Sequence, residues 1–204
     1  MQSMKEMSRY QARRRIAVAL IIALLFCALL FVRSAWQRGI HEYIEAFGLG
    51  FIMMAILGRM WCTLHIGGHK GANIIRTGPY SVSRNPLYVF STIGAFGIGC
   101  MTGSLIIALL LAVVCYITFM FVIMAEEGYL ENTFGQAYRD YKLDVPRFFP
   151  NFSGYKDVET LTIRPKTLYN TFFDGLVFFI AYPVFEFVEY LQNIGVIPVL
   201  LHVY

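Results

Sequence analysis

Residues 87–124 read LYVFSTIGAFGIGCMTGSLIIALLLAVVCYITFMFVIM, without a single charged side chain. Two apolar runs, about 87 to 101 and about 104 to 124, meet at the small residues between Gly99 and Gly103. A turn this short can join only antiparallel helices, and runs of this length and composition are stable when lipid surrounds them. The stretch is therefore a predicted transmembrane hairpin.

Working outward, two further runs of the same kind lie at about 44 to 62 and about 16 to 32. The second follows Arg13, Arg14 and Arg15, as the apolar part of a signal peptide would. Its length, and Arg33 where small cleavage-site residues should stand, predict a retained helix instead. With 57% hydrophobic and 15% charged residues in 204, the chain is too apolar for a soluble domain. It has room for about four or five spans of roughly 20 residues, and none for a separate soluble unit.

The formal net charge of +4 comes from Lys and Arg beside apolar runs, not from a basic face, which argues against a nucleic-acid partner. With the N-terminus on the cytoplasmic side, fifteen of the seventeen Lys and Arg fall inside, and only Arg33 and Arg38 fall outside. The opposite orientation inverts the ratio, so the cation bias fixes the predicted topology. Cys27, Cys62, Cys100 and Cys115 sit in or beside apolar runs, with neither C-x-x-C nor metal-ligand spacing.

Past the fourth run, residues 125 to 142 keep an apolar stripe of Tyr129, Leu130, Phe134, Tyr138 and Tyr141 among Glu126, Glu127, Glu131, Arg139, Asp140 and Lys142. This predicts a helix leaving the membrane into the cytoplasmic interface. Prolines 146, 150 and 165 with Gly154 predict irregular structure along the membrane surface over 143 to 167. From Leu168 to about Leu191 the chain is apolar again but carries Asp174, Pro183, Glu186 and Glu189. A carboxylate at mid-bilayer costs on the order of 2.5 to 3.5 kcal/mol, so an amphipathic or re-entrant helix is favoured there over a fifth span. The apolar tail from Ile194 to Val203 is too short to cross as a helix. Ala95, Gly99 and Gly103 recur every four residues, a stripe that would let a neighbouring helix approach closely.

The expected fold is thus an all-α integral membrane protein, a single membrane domain over 1–204. It has four transmembrane helices, five if the C-terminal segment spans, a cytoplasmic interfacial helix and a C-terminal amphipathic or re-entrant helix. Residues 55–150 form its chemically equipped core and 151–204 an interfacial extension.

The polar residues gather in two clusters, HIGGHKGANIIRTGPYSVSRNPLY (65–88) and AEEGYLENTFGQAYRDYKLDVPRFFP (125–150). Because the hairpin begins and ends on one side, Arg84 and Asn85 must lie close to Glu126 and Glu127. Adjacent glutamates on a helix point about 100° apart, so one can face the bundle and the other water. An inward carboxylate there needs a partner such as Arg84, or a cationic or hydroxyl-bearing ligand. His65 and His69 have an i, i+4 spacing, but Gly67, Gly68 and Gly71 oppose a helix and no third ligand accompanies them, so no metal site is expected.

The order GPYSVSRNPLY (78–88), a short apolar hairpin, then EEGYLENTFGQAYRDYKLDVPRFFP (126–150) resembles the isoprenylcysteine carboxyl methyltransferases and the related phospholipid methyltransferases. Their shared pattern is G-x-Y-x-x-x-R-H-P-x-Y, a helix hairpin, E-E-x-x-L-x-x-x-F-G-x-x-Y-x-x-Y and a V-P-R-like ending. The match covers about residues 55 to 150. It implies methyl transfer from S-adenosyl-L-methionine, bound in a pocket open to the cytosol, to a lipophilic acceptor entering from the bilayer. By this resemblance Ala72, Asn73, Ile74 and Ile75 supply backbone contacts. Tyr80, Asn85, Pro86, Leu87, Tyr88 and Glu126 line the cofactor pocket together with His65, and Glu126 takes the ammonium or a hydroxyl group. Arg84 orients or neutralises an anionic acceptor, and Glu127 stands with it in the reactive part of the site.

Two departures stand out. Asn85 occupies the position of the family's usual histidine and cannot titrate. The prenylcysteine enzymes carry a basic residue just before the acidic pair, whereas here the matching stretch is Phe121, Val122, Ile123, Met124 and Ala125. Two alternatives remain at this stage: a non-catalytic protein that keeps the fold, and a nicotinamide-dependent reductase, since membrane sterol reductases have a resembling hairpin. Membrane lipid is the expected surrounding partner, and a homo-oligomer through the C-terminal segment is consistent with its carboxylates.

Overall fold

The computed structural model describes residues 27–66 and 73–204. Most of the predicted first span, the basic N-terminus, and the loop residues Gly67 to Ala72 lie outside the described residues.

A short strand β1 (Val32–Ser34) leads into α1 (Arg38–Ile66), and a single turn α2 (Pro79–Val82) precedes α3 (Pro86–Cys100). Then come α4 (Leu105–Phe134), α5 (Gln136–Asp144), α6 (Pro165–Leu176), α7 (Ala181–Asn193) and strand β2 (Leu201–Val203). Among the described residues, three helical runs are long and apolar enough to cross a membrane: α1, α4 and the run Pro165–Asn193. The predicted hairpin is α3 and α4, with α3 a shorter apolar helix of 15 residues. At 1.5 Å per residue α3 is about 22 Å long and α4 about 45 Å. From their shared turn, α4 therefore runs on past the N-terminus of α3.

Small residues set the packing, Gly99 of the predicted stripe among them, together with glycines outside it. A side-chain carbon on Gly97 would sit 2.8 Å from the Gly48 carbonyl, and one on Gly58 would enter the Phe90 ring, so α1 and α3 touch backbone to backbone. Gly99 faces Ala108 of α4 in the same way. Gly103 is not part of a helix face: it forms the hairpin turn with φ 65° against the His41 imidazole. Ser104 caps α4, its hydroxyl accepting from the Ile107 amide.

The C-terminal segment, expected as an amphipathic or re-entrant helix or a fifth span, runs as one 29-residue helical stretch, Pro165–Asn193, packed on α1 and long and apolar enough to cross a membrane. A tighter 3-10 turn, Val177–Ile180, precedes Pro183 and absorbs the ring's conflict with the preceding carbonyls. Of its carboxylates, Glu189 lies near the far end, paired with Arg33 at 3.5 Å and His41 at 3.4 Å. The tail is also not featureless, because β2 pairs in parallel with β1, Val32 opposite Leu201. The exit helix also breaks, at Gly135 (φ 56°), where α5 turns back and buries Tyr138 and Tyr141 against Ile74, Leu130 and Phe134.

Candidate functional site

The site is assembled where α2 and the head of α3 meet the 145–157 segment. The chain runs extended beside itself there: the Arg84 amide donates to the Pro146 carbonyl at 2.9 Å, and the Asn151 amide donates to the Val82 carbonyl at 2.9 Å. Buried Ser83 donates to the Phe148 carbonyl at 3.0 Å and accepts from the Asn85 amide. Gly78 closes the other edge, its amide donating to the Lys156 carbonyl at 2.7 Å. Its φ of 57° and its contact with His65, 2.1 Å from any added side-chain carbon to Nε2, admit no side chain.

On one flank, the Tyr88 hydroxyl donates to Glu126 Oε1 at 3.0 Å. Tyr80 is buried, and its hydroxyl has no hydrogen-bond partner among the described residues. Burial first, then the nearby Cys62, Tyr141, Tyr88 and Glu126, hold that hydroxyl well above the usual tyrosine range. The Tyr80 carbonyl accepts a 2.6 Å hydrogen bond from the Tyr141 hydroxyl, which ties α5 to α2. His65 is buried, its Nδ1 3.1 Å from the Trp61 carbonyl and its Nε2 without a hydrogen bond, 3.9 Å from Asp157.

On the other flank lies a charged triad. Arg84 Nη2 is 3.1 Å from Glu127 Oε1, and Arg147 approaches Glu127 Oε2 at 2.9 Å through Nη2 and 3.0 Å through Nε. The Arg84 and Glu127 side chains are 7% and 5% exposed, whereas Arg147 is 40% exposed. Arg84 also donates to the Lys142 carbonyl at 3.0 Å. Its guanidinium is thus committed to the protein's own groups.

The predicted proximity of Arg84 and Asn85 to the two glutamates is therefore present, with Glu127 inward and Glu126 on the exposed side. Tyr80, Tyr88 and Glu126 come together. Asn85 does not stand free: its amide donates to the Arg147 carbonyl at 3.0 Å. Pro86 and Leu87 form the first turn of α3 beside them. Ile74 and Ile75 lie along the approach to α5, Asn73 is exposed, and Ala72 is outside the described residues. Sequence reasoning missed Arg147 as a partner of Glu127; its V-P-R position was a motif letter with no spacing rule to connect it to Glu127. Among the described residues no group of three or more His, Cys, Asp or Glu is arranged to hold a metal ion. An open cavity of about 510 Å³ lies at the opposite end, lined by Arg33, Trp36, His41, Glu45 and Glu189 among others. It is remote from these motifs.

Residues 43–137, which carry the hairpin, the 65–88 cluster and the first half of the 125–150 cluster, match the phospholipid methyltransferase family. The chain belongs to that family. The family includes the isoprenylcysteine methyltransferases, and one of these, the protein-S-isoprenylcysteine O-methyltransferase of Schizosaccharomyces pombe, is 34% identical over 82 residues, 40% of this chain and 35% of that protein. Longer matches are to the cobalt-zinc-cadmium resistance protein CzcN of Cupriavidus metallidurans, 29% identical over 195 residues, covering 95% of this chain and 90% of the relative. The nickel-cobalt-cadmium resistance protein NccN of Alcaligenes xylosoxydans xylosoxydans is 31% identical over 171 residues, covering 83% and 80%. No solved structure matches the chain. Family membership and the apolar helices support a membrane methyltransferase acting on a lipophilic acceptor.

Proposed function

We propose that this protein transfers the methyl group of S-adenosyl-L-methionine to a lipophilic acceptor, with the cofactor site and the N-terminus on the cytoplasmic side. The observation that carries the reading is the pairing of Tyr88 with Glu126 next to a buried Tyr80 hydroxyl that lacks a partner among the described residues. A buried hydroxyl left unpaired costs stability, so its retention fits a ligand that satisfies it. The cofactor presents an ammonium, a carboxylate, ribose hydroxyls and an adenine, which suit a carboxylate, phenols and an apolar wall. When bound, it supplies an activated methyl group on a sulfonium.

In this reading Glu126 and Tyr88 hold the cationic or hydroxyl groups, and Pro86 and Leu87 give the apolar wall. Asn73 to Ile75 contribute backbone edges, and the Tyr80 hydroxyl and His65 Nε2 are buried polar atoms without a hydrogen bond among the described residues. Asn85, tied to the Arg147 carbonyl, positions the head of α3 and moves no proton. The Arg84–Glu127–Arg147 triad fixes the distance between α3, α4 and the 145–150 segment, so that acceptor and methyl group are aligned for in-line displacement. Arg33 and Arg38, the two cations assigned to the outside, stand at the other end of α1 from this site, in keeping with the proposed sidedness.

Calorimetric binding of S-adenosyl-L-methionine and S-adenosylhomocysteine to the detergent-purified protein tests the reading. Saturable binding of both, lost in Glu126→Ala, is expected. No binding at millimolar cofactor by folded protein would refute it and turn attention to a nicotinamide cofactor or to a non-catalytic role.

A further inference from the structure

Arg59 stands inside a membrane-length helix with no counter-ion among the described residues. It lies seven residues before the end of α1, about 10 Å below that end at 1.5 Å per residue, where the sequence count had treated it as a loop-side cation. Its Nη1 donates to Ser91 of α3 at 2.8 Å, and its guanidinium carbon lies 5.7 Å from the Phe178 ring centroid. Its Nε is buried without a hydrogen-bond partner. None of the ion pairs among the described residues includes it.

The other two arginines of this region differ in this respect. Arg84 and Arg147 share Glu127, whereas Arg59 meets only a hydroxyl, a ring and neighbouring apolar side chains. An arginine at membrane depth is costly and is usually paired, or else faces a path taken by a charged ligand. Ser91 itself donates to the carbonyl of Leu87, one helical turn away. The Arg59 charge is therefore one turn deeper in the bilayer than the Leu87 wall of the candidate cofactor site.

We propose that Arg59 is an oxyanion site within the membrane, which holds the carboxylate or phosphate of an anionic, long-chain amphiphile between α1, α3 and the Val177–Ile180 turn. As a specificity-determining residue for the acceptor, it rests on the methyl-transfer reading; as an anion site, it is tested apart from it. The guanidinium supplies a forked donor set for an oxyanion, and the surrounding lipid accepts the tail.

The test uses the full chain in phosphatidylcholine nanodiscs, with Trp36→Phe leaving Trp61, two residues from Arg59, as the only tryptophan. Its fluorescence is titrated with brominated stearate, brominated phosphatidate and brominated phosphatidylcholine. Saturable quenching by an anionic probe is expected, weakened about tenfold or more in Arg59→Gln, as loss of a charge-assisted hydrogen bond implies, and weakened less in Arg59→Lys, which keeps the charge but not the fork. Tighter stearate assigns a carboxylate, and tighter phosphatidate a phosphate. Equal quenching by the zwitterionic lipid, or quenching unchanged in Arg59→Gln, overturns the proposal. A fall in melting temperature for Arg59→Gln with unchanged quenching would make Arg59 a helix clamp and also overturn it. Cofactor calorimetry on the same samples separates the two readings. Cofactor binding without Arg59-dependent quenching sinks this proposal alone, and the reverse sinks only the methyltransferase reading.

Discussion

Glu127→Gln should unfold this protein far more readily than Glu126→Gln, although the two residues are neighbours on one helix. Glu127 is the only acidic partner of two guanidinium groups among the described residues, 3.1 Å from Arg84 and 2.9 Å from Arg147. Removing one partner of a buried pair leaves the other charge uncompensated, at about 3–5 kcal/mol. The Arg147 arm is 40% exposed and adds only about 0–1 kcal/mol. The loss is thus about 3–5 kcal/mol, or about 6–20 °C in melting temperature for a chain of this size. Glu126 is exposed and bonded to Tyr88 alone, so its amide should shift stability by less than about 1 kcal/mol while impairing cofactor binding. Tryptophan fluorescence during heating in detergent reads both. The double variant Arg84→Met with Glu127→Leu should recover most of the loss, since an apolar pair replaces a desolvated ionic one. Strictly additive single-variant effects, or a Glu127→Gln protein as stable as Glu126→Gln, would refute the reasoning.

Gly78→Ala should cost about 1–3 kcal/mol, because the residue sits at φ 57° and the new methyl group meets the His65 ring; limited proteolysis near Lys156 would show the freed edge. Tyr141→Phe removes the 2.6 Å hydrogen bond to the Tyr80 carbonyl and should lower stability by about 1–2 kcal/mol in chemical denaturation. Tyr138 titrates at about 12, above the ordinary 10, pushed up mainly by burial and then by Glu127. A raised phenol means that the fold favours the neutral form, so its stabilising contribution is whole below pH 10 and fades as pH rises to about 12. Phenolate absorbance of the folded protein should lag that of the denatured chain across that window, and a coincident titration would contradict the burial argument.

The sequence was enough to place the hairpin, since two uncharged runs separated by three or four small residues have one solution in lipid. It was also enough to bring Arg84 near the glutamates, because a hairpin returns its ends to one side. Which glutamate turns inward depends on helix rotation, and rotation is set by the contacts of α4 with α3 and the 145–150 segment. Arg147 escaped notice for a related reason: twenty residues and a helix break at Gly135 separate it from Glu127, and no periodicity spans such a break. Of the carboxylates in the C-terminal stretch, Glu189 has partners that its position in the sequence could not reveal. Arg33 and His41 lie about 150 residues earlier in the chain, and tertiary structure alone puts them beside Glu189. The same holds for Arg59, whose position in the sequence reveals a cation near a span. That it has no counter-ion among the described residues emerges only once the helices around it are packed. Local sequence fixes which segments prefer lipid and how short links must fold, whereas the pairing of charges across distant segments is a property of packing.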